Sequence, residues 1–121
     1  MLEIARQRMP DAEIVAGDAL ELPFPDASFE KVFTGHFYGH LRRAKRAQFL
    51  AEARRVADGL VVADAALRPD HASEEIQERF LNDGSRHEVY KRYFDPEDLA
   101  AELGGGTVIF SGDWFVVVEA W

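Results

Sequence analysis

Three side chains with acid–base chemistry follow short apolar segments of this chain. Asp18 comes after the apolar residues 12–16, and His36 comes after a second apolar segment, 29–34. His40 lies a few residues further on. An unperturbed imidazole titrates near neutral pH, so either histidine can act as a general base. A carboxylate such as that of Asp18 can accept hydrogen bonds from a ligand.

Each of these residues also has an ordinary structural explanation. Asp18 can simply terminate a strand, and a histidine that precedes a helix often bonds only to backbone. His36 and His40 have the spacing of two metal ligands on a helix, but Gly39 between them argues against a regular helix and further ligands are missing. We therefore predict no metal site. The chain has no cysteine, which excludes thiolate ligands and disulfides.

The elements that must position these residues follow from the spacing of apolar side chains. Strands are predicted at 12–16, 29–34, 60–63, 107–110 and 114–118, and helices at 1–8, 42–57, 73–82 and 96–103. Asp95 and Pro96 are the start signals of the last helix, and Ser73 is the predicted cap of the helix before it. Trp114 and Trp121 are expected to fill the packing face of the final hairpin. Alternating strands and helices indicate an open α/β sheet, which binds ligands at the carboxyl ends of its strands.

Several stretches together resemble the class I S-adenosylmethionine-dependent methyltransferases of type 11. They are Gly17-Asp18-Ala19, the run Leu-Pro-Phe-Pro-Asp-Ala-Ser-Phe at 22–29, and the run Tyr-Phe-Asp-Pro-Glu-Asp-Leu at 93–99. The resemblance implies a truncated Rossmann-like methyltransferase fold, in which a mostly parallel sheet ends in an antiparallel hairpin. Residues 1–121 then form a single domain that corresponds to the C-terminal portion of the family fold.

The same resemblance implies S-adenosylmethionine as cofactor and gives the candidate residues their roles. Asp18 accepts a hydrogen bond from the adenine amine, the amide of Ala19 meets a ring nitrogen, and Leu20 or Leu22 lies against the ring. His36 is the expected catalytic base. The other expected contacts are Thr34 and Gly35 for the cofactor, and Tyr38 and His40 for the methyl acceptor.

The glycine-rich turn and the first two strands of the family pattern have no counterpart in these 121 residues. Three interpretations stay open: part of a longer enzyme, a short descendant that binds another ligand or partner without catalysis, or one of two complementary chains. Missing central strands would leave unpaired strand edges, which predicts a homodimer or a complementary partner chain.

The overall charge narrows the expected partners. The chain has 22 acidic and 14 basic residues, a net charge of -8. This charge disfavours nucleic acid and anionic membranes and favours a small-molecule acceptor. The basic cluster at 42–46 is interpreted as a solvated helix start. No run is apolar enough to span a bilayer, so a cytoplasmic location is expected.

Overall fold

The computed structural model describes residues 18–121. The helix predicted at 1–8 and the strand predicted at 12–16 lie outside the described residues. Within residues 18–121 the strands are β1 (Phe29–Gly35), β2 (Ala57–Ala65), β3 (Glu74–Phe80), β4 (Arg86–Arg92), β5 (Gly106–Ser111) and β6 (Phe115–Ala120). The α-helices of this described part are α1 (Arg43–Val56) and α2 (Pro96–Glu102), and a 3-10 turn spans Tyr38–His40.

The main sheet is mixed, in the order β1-β2-β6-β5. β1 and β2 are parallel, whereas β6 runs antiparallel to both β2 and β5. The expected α/β sheet that ends in an antiparallel hairpin is therefore present. The expectation of a mostly parallel sheet is not confirmed, because only one of the three pairings that the described strands make within this sheet is parallel.

The two helices pack on one face of this sheet. The predicted apolar stripe of α1 is confirmed, since Phe49, Ala53 and Val56 are buried. They meet the buried side chains of β2 and β6, among them Leu60 and Val118. Burial of an apolar side chain of this size contributes about 1.5–3 kcal/mol, which makes this layer the main source of stability.

The helix predicted at 73–82 is wrong. These residues form β3, which pairs antiparallel with β4 in a separate two-stranded sheet. Glutamate, glutamine and arginine favour helices locally, but cross-strand contacts override that preference. The hydroxyl of Tyr93 donates to Glu75 at 2.5 Å, and Gln77 donates to Tyr93 at 2.8 Å. The dipeptide Asp83-Gly84, with Gly84 at φ +85°, was the hairpin signal in the sequence.

The other local signals are confirmed, with one exception. Asp95 caps α2 through the amides of Glu97 and Asp98, at 3.1 and 3.4 Å. β5 and β6 form the predicted hairpin. Trp114, however, does not fill its packing face: 72% of this residue is exposed. Among the described residues, neither helix combines the length and the apolar character that a membrane crossing requires.

Candidate functional site

β1 and β2 end side by side, because they are parallel and Gly35 pairs with Ala63. The next residue, His36, donates its backbone N–H to the carbonyl of Ala63 at 2.8 Å. His36 has φ +54° and is exposed. A left-handed backbone is uncommon outside glycine, and such conformations concentrate at functional sites. The structure thus places an accessible imidazole at the carboxyl edge of the sheet.

Gly35 leaves the backbone next to His36 accessible. A Cβ added at Gly35 would meet only the ring of Phe33, at 3.6 Å, which is ordinary contact. The preceding residue, Thr34, is buried on the helix-covered face and is 9% exposed. Of the two predicted cofactor contacts on β1, Gly35 is therefore the one that a ligand can reach from solvent.

The segment after His36 is held by side chains from α1, α2 and β2 and by a backbone carbonyl of β4. The ring of Tyr38 is fully buried and stacks on Phe94, with centroids 5.6 Å apart. Its hydroxyl donates to Glu102 of α2 at 2.6 Å. Burial first, and then the bond to Glu102, raises the pKa of the Tyr38 phenol far above its usual value. Tyr38 was expected to contact the methyl acceptor, but its side chain lies in the core and holds the segment after His36 in place.

His40 also holds the segment after His36 in place. Its Nδ1 lies 3.0 Å from the carbonyl of Tyr90 on β4. The neighbouring carbonyl of Leu41 accepts a hydrogen bond from Arg46 at 2.9 Å. Arg46 belongs to the basic cluster that we interpreted as solvated, but it is 4% exposed and pairs with Glu102 at 2.6 Å. The cluster is thus solvated only in part.

Asp64, to which the sequence assigns no role, is the central buried anchor of this region. It lies at the end of β2 and is 0% exposed. Its carboxylate accepts the amide of Gly39 at 2.8 Å, the amide of Ala65 at 2.8 Å and the ammonium of Lys91 at 3.2 Å. Lys91 comes from β4 and is 8% exposed. This ion pair therefore joins the loop after β1, the end of β2 and the β3–β4 hairpin.

Gly39 is required by this arrangement. A Cβ at this position would lie 2.6 Å from the carbonyl oxygen of Arg92 and 2.8 Å from Oδ1 of Asp64. Both distances are far below van der Waals contact. The glycine that argued against a metal-binding helix is explained here by the close approach of β4 and the Asp64 carboxylate.

The segment that contains Asp18 is bound to the outer surface of α1. Asp18 is exposed, and its Oδ1 accepts the amide of Leu20 at 2.9 Å. Glu52 accepts the amide of Leu22 at 2.9 Å, and Arg55 donates to the carbonyl of Leu22 at 2.9 Å. The bond from Arg55 lowers the pKa of Glu52. These contacts fix the backbone near Asp18 while its carboxylate stays accessible to a ligand.

The predicted site residues thus fall into two groups. Asp18, Gly35 and His36 are exposed, whereas Tyr38 and His40 are held in supporting positions. Ala19 and Leu20 are partly buried against the same core cluster as Phe37, which follows His36. Within residues 18–121, no three acidic or histidine side chains lie close enough together to hold a metal ion. An accessible base beside open backbone suits proton removal from a small bound molecule.

Comparison with known proteins identifies the family. The family model described as "Methyltransferase domain" matches residues 1–62, just over half of the 121 residues. The chain belongs to the methyltransferase domain family. The matched part includes Asp18, β1, the His36 loop and α1, and it ends within β2.

Curated relatives agree with this assignment over part of their length. The demethylmenaquinone methyltransferase of Thermotoga maritima is 43% identical over 56 residues, which cover 46% of this chain and 24% of that protein. The phthiotriol/phenolphthiotriol dimycocerosates methyltransferase of Mycobacterium tuberculosis is 43% identical over 70 residues, with 54% and 24% covered. The aligned part therefore spans about a quarter of each relative.

Solved structures show the fold. The DhpI-SAM-HEP complex superposes with a TM-score of 0.76 at 20% identity and covers 97% of this chain and 61% of DhpI. The glycopeptide N-methyltransferase MtfA, complexed with S-adenosyl-L-methionine, gives a TM-score of 0.64 at 18% identity, with 98% and 71% covered. The methyltransferase architecture thus extends over nearly all of this chain.

Proposed function

We propose that this chain is the part of an S-adenosylmethionine-dependent methyltransferase that holds the adenine and the methyl acceptor. The observation that carries the proposal is the match of residues 1–62 to the methyltransferase domain, which includes the exposed Asp18 and His36. The similarity to DhpI and MtfA, whose structures contain S-adenosylmethionine, supports the cofactor.

The residues present fit this cofactor. Asp18 would accept a hydrogen bond from the adenine amine, because its carboxylate is exposed on a segment that α1 holds in place. The amide of Ala19 and the side chain of Leu20 would contact the ring. Gly35 would admit the other end of the ligand, because its Cα faces open space apart from the Phe33 ring. When bound, S-adenosylmethionine supplies an activated methyl group.

The chain itself would contribute a general base and the residues that hold this base in position. His36 would remove the proton from a hydroxyl or amine of the acceptor, which makes that atom a better nucleophile. Thr34 lies behind it, buried on β1. Tyr38 and His40 would position His36 through their bonds to Glu102 and to the carbonyl of Tyr90. Positioning of this kind accounts for a large part of the rate in reactions between two bound molecules.

The experiment that tests the proposal is isothermal titration of the chain with S-adenosylhomocysteine. We expect a dissociation constant in the micromolar range, about -8 kcal/mol. Asp18→Asn should weaken binding about tenfold or more, since a hydrogen bond to a charged group contributes about 1.5–3 kcal/mol. Asp58→Asn is the matched control, because Asp58 is exposed near the opposite end of β2.

The outcomes are distinct. Absence of heat from folded protein would contradict the proposal for this 121-residue chain. It would favour either a fragment of a longer enzyme, which needs the rest of the chain to bind cofactor, or a fold that has lost cofactor binding. Equal weakening by the Asp18 and Asp58 substitutions would contradict the adenine contact at Asp18 and leave the binding itself intact.

We further propose a small-molecule acceptor and a dimeric or two-chain assembly in the cytoplasm. The net charge of -8 supports a small molecule over nucleic acid. β1 and β5 are the outer strands of the four described strands, and Phe33 and Ile109 on them are 70% and 56% exposed. Exposed apolar edge strands favour pairing with another chain. Light scattering on a size-exclusion column should give twice the monomer mass, and a monomer would exclude the homodimer.

A further inference from the structure

A cavity of about 530 Å³ lies in the loop that follows β2. Its lining residues are Leu67, Arg68, Pro69, His71 and Ser73. Pockets that bind small molecules usually measure about 300–1,000 Å³. The sequence analysis gave this loop no function, and the site described above does not use it.

The cavity belongs to the carboxyl edge of the sheet. Ala66, the first residue after β2, donates its N–H to the carbonyl of Trp114 at 3.0 Å. Leu67 donates to the carbonyl of Phe94 at 2.9 Å. The backbone of His36 is bonded to Ala63 at the end of the same strand. The loop therefore starts at the end of β2, beside the end of β1 that His36 follows.

Arg68, which lines the cavity, also forms a cation–π pair with Trp114 beside it. The guanidinium of Arg68 lies over the indole of Trp114, 4.1 Å from the ring centroid. Trp114 is nevertheless 72% exposed, so the face that Arg68 does not cover is open to solvent. An exposed tryptophan at a ligand-binding edge offers a flat stacking surface. Arg68 also lies 3.6 Å from Asp70, an exposed pair that a ligand's acid group can replace at little cost.

The chain contains a second arginine–tryptophan pair, whose indole is less exposed than that of Trp114. Arg54 lies over Trp121 at 4.7 Å, and both line a cavity with Asp58 near the opposite end of the sheet. Trp121 is only 38% exposed, and its Nε1 donates to the carbonyl of Leu103 at 3.0 Å. That indole is held by the core, whereas Trp114 is presented to solvent.

We propose that the Arg68–Trp114 pair and the adjoining cavity bind a flat, aromatic small molecule that carries an acidic group. The acid group takes the place of Asp70 beside Arg68, and the ring lies in the cavity that Leu67 and Pro69 line, next to the exposed Trp114. A guanidinium binds a carboxylate in a planar, two-bond geometry that lysine does not offer. As an identification of the methyl acceptor, this assignment rests on the proposed function, but the binding itself does not require it.

Naphthoate is the probe, since it combines a flat ring with a carboxylate. The two indole N–H signals of Trp114 and Trp121 are followed by heteronuclear NMR, and Trp114→Leu assigns them by loss of one signal. We expect naphthoate to move the Trp114 signal and leave the Trp121 signal in place. Naphthalenemethanol, which lacks the charge, and cyclohexanecarboxylate, which lacks the aromatic ring, should each bind about tenfold more weakly.

Two matched variants test the residues. Arg68→Gln should weaken naphthoate binding about tenfold, whereas Arg54→Gln should change it less than about twofold. Both side chains are at the surface, and the remaining NMR signals report whether each variant is folded. An unmoved Trp114 signal would overturn the proposal. Equal movement of both indoles would also overturn it, because it would show general adhesion to arginine–tryptophan pairs.

The result separates this inference from the proposed function. Naphthoate binding at Trp114 in a chain that does not bind S-adenosylhomocysteine would support the ligand site and contradict the methyltransferase activity. S-adenosylhomocysteine binding without any naphthoate response would support the proposed function and contradict the ligand site at Trp114.

Discussion

Replacement of Gly39 by alanine should destabilise the fold strongly. The new Cβ would lie 2.6 Å from the Arg92 carbonyl oxygen and 2.8 Å from Oδ1 of Asp64. Neither atom can move easily, since one is backbone of β4 and the other belongs to a fully buried carboxylate. Overpacking typically costs about 1–3 kcal/mol. The clash would also disturb the hydrogen bond from the amide of residue 39 to Asp64. Its loss would cost up to about 1.5–3 kcal/mol more, because the acceptor is charged.

The expected net loss in the free energy of unfolding is about 3 kcal/mol. Alanine also reduces the entropy of the unfolded chain, which returns about 0.4–1 kcal/mol. At about 2.1 cal/mol/K per residue, the unfolding entropy of a chain of this size is about 0.25 kcal/mol/K. The melting temperature should therefore fall by about 12 °C.

Gly35→Ala is the matched control for thermal unfolding followed by circular dichroism. It lies in the same segment, and its Cβ would meet only the Phe33 ring at 3.6 Å. This variant also has a lower entropy of the unfolded chain, but it makes no clash. Its melting temperature should therefore stay within about 3 °C of the parent or rise. Equal melting temperatures for the two variants would refute the claim that Asp64 and β4 close tightly on Gly39.

Three further results are expected. Asp64→Asn and Lys91→Met should each cost about 3 kcal/mol in urea unfolding, because each leaves a buried partner without its counter-charge. The double variant should cost less than the sum, and strict additivity would contradict the ion pair. Asp95→Ala should lower the melting temperature by about 4 °C through loss of the α2 cap, and an unchanged value would show that the cap contributes nothing. The hydrogen bond from Tyr93 lowers the pKa of Glu75 below that of an unfolded glutamate. Its contribution to the hairpin is therefore present above about pH 4.3 and is lost as the pH falls through the folded pKa. The protection factors of the β3 and β4 amides, corrected for the intrinsic exchange rate, should fall as Glu75 titrates, whereas protection unchanged across the titration of the Glu75 carboxyl, followed by NMR, would contradict this role.

Local signals in the sequence predicted the elements that depend on caps and turns or on a single apolar face. α1 has a clear apolar stripe, and Asp95 with Pro96 starts α2 as predicted. The β5–β6 hairpin follows from its turn residues. The family resemblance gave Asp18 and His36 their roles, which stay predictions, and the structure adds that both residues are exposed.

The failures share one cause. Residues 74–80 are good helix formers by themselves, and only their pairing with β4 makes them a strand. Trp114 was expected to pack, yet packing depends on which face of the hairpin the rest of the chain covers. The parallel content of the sheet likewise depends on which strands lie beside β1, and the strand predicted at 12–16 is outside the described residues.

The sequence by itself determined the family, the helices α1 and α2 and the choice of Asp18 and His36 as candidates, because motifs, caps and apolar periodicity act between residues close in the chain. Only the tertiary structure decided that Asp64 is an anchor. Its partners Gly39 and Lys91 lie 25 and 27 residues away, in opposite directions along the chain. A carboxylate at a strand end can face solvent, a ligand or the core, and the choice is made by the charges and amides that folding brings around it.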